Sequence, residues 1–169
     1  MNLTVRSPTG IAPMPAMQVS PIELETELHA VHRLLRDKAA FDGDLASFTL
    51  TPAELRAAIA DERTHVLVAR RDMEIVGIAT YCETYSTFSG KPVLWLDDLY
   101  VSQEYRRSGA GRALLRRLQR IAAAGGYARV DWIVDRSNAS GIAFYEAMGA
   151  TVLDALCLAR VGHLQVAPA

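Results

Sequence analysis

A chain of 169 residues that is 50% hydrophobic can bury one sizeable core, and it is too short for two ordinary domains. Its net charge of -1 gives no general attraction to nucleic acid or to an anionic membrane, so any basic feature acts locally and a small-molecule partner is expected. Cys82 and Cys157 lie in apolar surroundings without disulfide or zinc spacing, and no run approaches the roughly 20 apolar residues of a membrane helix, which makes a reducing cytoplasm the expected location.

Four of the seven prolines fall within the first 21 residues, among Ser, Thr and Gly, so residues 1–15 read as a flexible extension and 16–169 as a single domain. A first short strand is expected at Ala16–Ser20 rather than at Leu3–Arg6. From Ile22 to Ala40, Leu24, Leu28, Val31, Leu34 and Leu35 recur at helical spacing, with acids early and bases late as the helix dipole favours. Thr51-Pro52-Ala53-Glu54 combines an N-cap, a proline at the first helical position and a reciprocal glutamate, which opens a second helix to about Ala60.

"THVLVAR" and "EIVGIATYCETY" read as a hairpin turning near Asp72, and "PVLWLDDLYV" as a third strand apolar enough to be covered on both faces. After the stretch "EYRRSGAGRALL", a helix places Leu114, Leu115, Leu118 and Ile121 on one face and Arg112, Arg116 and Arg120 on a solvated one, until Gly125-Gly126 ends it. "ARVDWIVD" is the next strand, Asn138–Met148 a helix with an Asn start and Gly149 at its end, and Thr151–Val166 supplies one or two closing strands. Strand, glycine turn, helix and strand over Val93–Asp135 form a βαβ unit with a parallel strand pair, beside an antiparallel hairpin. The fold class is therefore α/β with a mixed sheet.

The glycines of Gly109-Ala110-Gly111 stand between a strand and a helix, where backbone N–H groups can converge on an anion at the positive end of the helix dipole. Alone, the pair is equally a plain strand-to-helix turn. No GxxxxGK[ST] run exists for a Walker loop. The dinucleotide fingerprint fails at its third glycine, which is Leu114, although Asp131 lies about twenty residues past the turn, as a ribose acid would.

The whole run Arg106-Arg107-Ser108-Gly109-Ala110-Gly111 resembles the R/Q-x-x-G-x-G/A loop of the GNAT superfamily of acyl-CoA-dependent N-acetyltransferases. Upstream "LDDLYVSQEY" and downstream "NASGIAFYEAMGA" match that superfamily in order and distance, and the resemblance covers roughly residues 17–166. It looks closest to the diamine (spermidine/spermine) acetyltransferase branch, to which "TYSTFSGK" and "FTLTPAEL" are also similar. The resemblance implies a central mixed, largely antiparallel sheet of six to seven strands flanked by about four helices, and a homodimer, as in that branch.

It also implies acetyl-CoA as cosubstrate, with the pyrophosphate on amides across Arg107–Arg112 and the pantetheine on main-chain groups of Leu99, Tyr100 and Val101. Arg106 and Arg107 are the expected phosphate partners, and Arg112 is the best placed of the helix arginines to touch phosphate. Asn138 matches a coenzyme-contacting asparagine, and by its position it is equally an N-cap. Tyr145, taken alone a core aromatic, matches the tyrosine that protonates the departing thiolate, a role its ordinary pKa of about 10 permits.

Asp97 and Asp98 sit mid-strand in an apolar run, where an unpaired carboxylate is costly. Adjacent strand residues face opposite sides, so absent a bulge only one of them reaches a given site. Asp97 matches an acidic position near the substrate amine, a glutamate in the diamine branch. A carboxylate there could hold an ammonium and relay its proton through water. Glu83 and Asp42 are further candidates for amine binding; each is otherwise a solvated surface charge. His29 and His32 stand at i, i+3 with no third ligand, so no metal is expected. The expected activity is direct acetyl transfer to a small primary amine: a polyamine, a diamine or an amino-acid-like amine.

Overall fold

The computed structural model describes residues 17–159, which fall into two compact units, one ending at Trp132 and one beginning at Ile133. In the first unit β1 (Gln18–Pro21), β2 (His65–Arg71), β3 (Glu74–Ser86), β4 (Lys91–Val101) and β5 (Val130–Asp131) form one sheet in the order β1-β2-β3-β4-β5. Neighbours up to β4 pair antiparallel, and β5 runs parallel to β4. The parallel crossover runs through α3 (Ala110–Ala124), while α1 (Leu24–Phe41) and α2 (Pro52–Ala60) join β1 to β2. The second unit contains α4 (Ala139–Ala147).

Each start and stop has a local cause. Thr51 and Glu54 close the reciprocal capping box, and Pro52 follows in the first helical position. Asp72, at φ 56, makes the tight turn between β2 and β3. The strand β2 is buried from Val66 to Ala69 without alternation because helices cover both of its faces. On one face Leu28, Val31, Leu34 and Leu35 of α1 pack with Leu55 of α2 against Val66, Val68 and Ile78. On the other, α3 packs against β2, β3 and β4 and buries Leu114, Leu115 and Leu118 completely. Gly77 permits that approach, since a Cβ there would sit 3.0 Å from the Tyr100 carbonyl oxygen and 3.4 Å from Leu114.

Two expectations need correction. The sheet has five strands among the described residues, not six to seven, because residues 151–159 form none. There Leu153, Leu156 and Leu158 are exposed, so no apolar face is laid against a neighbouring strand. Residues 160–166 of the expected closing strands lie outside the described residues. The second correction concerns β5, which pairs with β4 only at Val130 and Asp131 instead of running through to Asp135. The Asp135 carboxylate accepts the Ser137 N–H, an Asx turn that commits the chain to the start of α4.

An ion pair between Glu27 and Arg70 helps fasten α1 to the sheet. Arg70 of β2 donates Nε and Nη2 to the two carboxylate oxygens of Glu27 at 2.6 and 2.5 Å, with both side chains largely buried. Burial opposes the charge of Glu27, but its hydrogen bonds and the Arg70 cation outweigh that and hold its pKa below the ordinary value.

Candidate active site

The register of β3 against β4 slips by one residue at the acidic pair. Tyr81 faces Leu96 and Thr80 faces Asp98, which leaves Asp97 as an extra, unpaired residue on β4. Such a bulge breaks the strict alternation of the strand. Asp97 and Asp98 consequently both line one concavity of about 340 Å³, together with Lys38, Asp42, Asp44 and Thr80. Leu35, Phe48, Leu50 and Leu55 give it apolar walls. A larger hollow of about 580 Å³, between β1 and the outer face of α3, carries Arg116 and Arg120 but no acid or base suited to proton transfer near neutral pH.

The acids in the smaller concavity differ in their state of pairing. The Lys38 ammonium lies 2.7 Å from Asp42 Oδ2 and 2.9 Å from Asp98 Oδ1. The second oxygen of Asp98 accepts the Thr80 hydroxyl at 3.1 Å, and the Asp98 N–H donates to the same hydroxyl oxygen. Asp98 is thus fully partnered within the protein. Burial works against the charged Lys38, yet the hydrogen bond to Asp42 and the charge and hydrogen bond of Asp98 prevail, so its pKa stands above the ordinary lysine value. Asp97 is outside this triad. Although the residue as a whole is exposed, the surroundings of its carboxylate head strip water from it, and this together with the nearby Asp98 charge raises its pKa. The Lys38 charge and a hydrogen bond from the Trp95 side chain oppose the rise without cancelling it.

Sequence reasoning missed Lys38, Thr80 and Trp95. The i, i+4 spacing of Lys38 and Asp42 on a helix was the one readable signal. Glu83 is not among the residues lining this concavity; the Tyr127 hydroxyl is hydrogen-bonded to it, which pushes the Tyr127 pKa up to about 12. Cys82 lies close enough to Asp97 to feel its charge, and burial first, then that charge, raises the thiol pKa.

Beyond Trp95, β4 has β3 on one edge and no strand partner on the other among the described residues. The Ser102 N–H donates to the Val76 carbonyl. By the alternation of an antiparallel ladder, Tyr100 then turns its main-chain groups towards β3, whereas Leu99 and Val101 turn theirs to the open edge. The Val101 carbonyl there accepts Arg106 Nε at 3.4 Å. The expectation that all three residues offer main-chain groups is thereby narrowed to Leu99 and Val101.

The glycine loop follows a short 3-10 turn, Gln103–Tyr105. Arg107 at φ 63 and Gly109 at φ 92 are both left-handed, and Gly109 caps α3 with no side-chain hydrogen bond. The first N–H groups of that helix, on Ala110, Gly111 and Arg112, therefore have no intrahelical acceptor. From Arg106 to Gly109, Ser108 included, the loop is exposed, and no heavy atom of the fold lies within 4 Å of where a Gly109 Cβ would stand. A cradle of amides with open space before it suits a diphosphate. Arg106 stacks on Phe41 at 4.3 Å from the ring centroid and faces Tyr100 at 5.8 Å, so its plane is held by aromatic rings.

In the second unit the Asn138 side-chain oxygen accepts the Gly141 N–H at 2.9 Å, so Asn138 is the N-cap of α4. Tyr145 is half-buried, its ring 5.2 Å from that of Phe144.

The profile of the acetyltransferase (GNAT) family matches residues 28–150. The chain belongs to that family. It is 30% identical over 130 residues to a thialysine N-epsilon-acetyltransferase of Caenorhabditis elegans, covering 77% of this chain and 78% of the relative. Over 90 residues it is 34% identical to an L-ornithine N5-acetyltransferase of Arabidopsis thaliana, a match covering 53% of this chain and only 40% of that longer protein. Among solved structures, an aminoglycoside acetyltransferase from an uncultured soil metagenomic sample superposes with a TM-score of 0.74 at 20% identity, over 88% of this chain and 97% of the other. Family membership replaces the dinucleotide reading of the glycine turn, and the likeness to the solved structure supports the fold class.

Proposed function

We propose that this chain is an acetyl-CoA-dependent N-acetyltransferase that moves an acetyl group directly to a primary amine of a small molecule. The carrying observation is the bulge on β4, where a carboxylate with a raised pKa meets the open strand edge leading to the glycine loop. The relatives named above act on amino-acid amines, which supports a polyamine, a diamine or an amino-acid-like amine as acceptor. When bound, acetyl-CoA supplies an activated acyl group as a thioester.

The chain's own residues have separate tasks in this reading. Amides of Arg107 to Arg112 hold the pyrophosphate, with Arg106 beside them, and main-chain groups of Leu99 and Val101 hold the pantetheine along the strand edge. Asp97 orients the ammonium and takes its proton, directly or through one water. The freed nitrogen forms a bond to the carbonyl carbon as the carbon–sulfur bond breaks, and a main-chain N–H of Leu99 or Val101 donates to the carbonyl oxygen as charge develops there. Tyr145 gives its phenolic proton to the departing sulfur, and the second proton of the attacking nitrogen, shed as the amide forms, restores the phenol through solvent, so the net release is the one proton that Asp97 passes on to water; this role rests on its place in the F-Y pattern. Asn138 steadies the helix that carries Tyr145. Glu83 is a more remote candidate for amine binding.

Direct transfer is favoured over an acyl-enzyme because burial and the Asp97 charge raise the Cys82 thiol pKa, which disfavours the nucleophilic thiolate. We further infer that residues 16–169 are one acetyltransferase domain behind a short extension, since the family match runs across the boundary at Trp132. Cytoplasmic residence accords with the two free cysteines, and a homodimer with the resembling branch. No membrane or nucleic-acid partner and no metal is invoked. No helix among the described residues is long and apolar enough to cross a membrane.

The test is thiol release from acetyl-CoA across a panel of primary amines, with the N-acetyl product identified by mass. Amine-dependent release, reduced at least about tenfold in Tyr145→Phe, is expected. Acetyl-CoA binding without amine-dependent release would instead mark a domain that senses the coenzyme.

A further inference from the structure

The concavity on the β4 bulge already contains an ammonium. Lys38 reaches it from the last turn of α1 and stands between Asp42 and Asp98 at 2.7 and 2.9 Å, with only 27% of its side chain exposed. The second Asp98 oxygen is taken by Thr80, so Asp98 keeps no oxygen for another cation, and Asp42 is already paired with Lys38 through one of its two oxygens. Asp44 is exposed, and its carboxylate accepts the Ser47 hydroxyl. Leu35, Phe48, Leu50 and Leu55 are among the remaining wall residues and offer an incoming molecule apolar contact.

We propose that Lys38 is a specificity-determining residue, an internal ammonium that fills one cation position and leaves the pocket to amines with a single ammonium and an apolar tail. This rests on the reading of the concavity as the acceptor site, and within the primary amines it departs from the polyamines and diamines given above. The acceptor's ammonium goes to Asp97, the carboxylate outside the Lys38 triad, and its tail lies against the leucines and Phe48. A diamine long enough to reach Lys38 brings a second cation against a fixed one, which is discrimination by an unfavourable contact. Without Lys38, Asp42 and Asp98 would form a second cation site within reach of the first. In this way one lysine converts a diamine pocket into a monoamine pocket. The role is positional and electrostatic; Lys38 touches no reacting atom.

Calorimetric titration with butylamine and with 1,4-diaminobutane reads this directly, in the full chain and in Lys38→Met, whose side chain keeps the stem but not the charge. The wild-type protein should bind butylamine the more tightly, and Lys38→Met should shift the affinity ratio towards the diamine by at least about tenfold. Lys38→Arg, which keeps the cation, should hold the ratio within about twofold of wild type, and Lys38→Gln serves where the Met variant does not fold. An unchanged ratio in a folded, uncharged variant, or a wild-type preference for the diamine, overturns the proposal. Because binding is read separately from turnover, amines that bind without being acetylated would overturn the transferase reading and leave the role of Lys38 standing or falling on the ratio.

Discussion

The concavity on the β4 bulge, proposed to take the amine, and the glycine loop lie at the two ends of one strand edge, and they are built from opposite materials. The pocket's charged groups are side chains, most of them partnered within the protein: Lys38 with Asp42 and Asp98, and Asp98 again with Thr80. The loop is made of main chain, with left-handed Arg107 and Gly109 and an uncapped helix start open to solvent. A site for a small cation needs to set the number and position of its charges, and side-chain pairing does that. A site for a doubly charged phosphate bridge needs several convergent donors, and backbone N–H groups provide them with little side-chain entropy lost.

The difference can be probed from either end. The largest effect is expected for Asp97→Asn, with kcat/KM for the amine falling by about two to three orders of magnitude while affinity for acetyl-CoA is unchanged. Burial and Asp98 raise the Asp97 pKa, so its contribution to the rate grows with pH through a value above the ordinary aspartate figure of about 3.9. A pH–rate profile of the Asn variant should lack that acid limb, and an intact limb would remove Asp97 from the proton path.

The wall that carries Lys38 can be loosened independently of the loop. Arg70→Met would leave Glu27 largely buried and unpaired, at a cost of about 3 kcal/mol, read from the denaturant midpoint. The folded pKa of Glu27 is depressed, so the stability it contributes is present above its unfolded value and is lost as pH falls through the folded one. The gap between wild type and variant should therefore narrow as the pH is lowered from about 5. A gap independent of pH would place the loss in packing instead of charge.

Gly109→Val acts at the other end. A β-branched residue at φ 92 is strained whatever the space around it, and its side chain would project into the opening before the amides. Affinity for acetyl-CoA should fall by at least about tenfold, roughly 1.4 kcal/mol, with amine binding retained. The smallest effect is that of Asn138→Ala, where loss of the α4 cap should cost about 1 kcal/mol in thermal or chemical denaturation. A loss of coenzyme affinity beyond that would reveal a direct contact in addition to the cap.

The same contrast separates what was legible in the sequence from what was not. The loop could be read because its signature lies in glycine spacing and in its place between a strand and a helix, both local properties. The helices of the first unit could be read from apolar periodicity, and Thr51 with Glu54 announced its cap. The pocket could be read only as residue types. Alternation predicts that Asp97 and Asp98 face opposite ways, and it is the register slip between Thr80 and Tyr81 that overrides it. Neither the slip nor the contact of Lys38 with a residue sixty positions away is encoded in local spacing. The sequence places β5 but overstates its length for a similar reason, since "ARVDWIVD" has the composition of a longer strand and only pairing with β4 ends it at Asp131.

Crosswise calorimetry tests the division between the two ends most directly, with acetyl-CoA and butylamine each titrated into wild type, Gly109→Val and Asp97→Asn. Separate binding regions predict that the glycine variant loses affinity for acetyl-CoA alone and the aspartate variant for the amine alone. Equal losses of both ligands in either folded variant would contradict it.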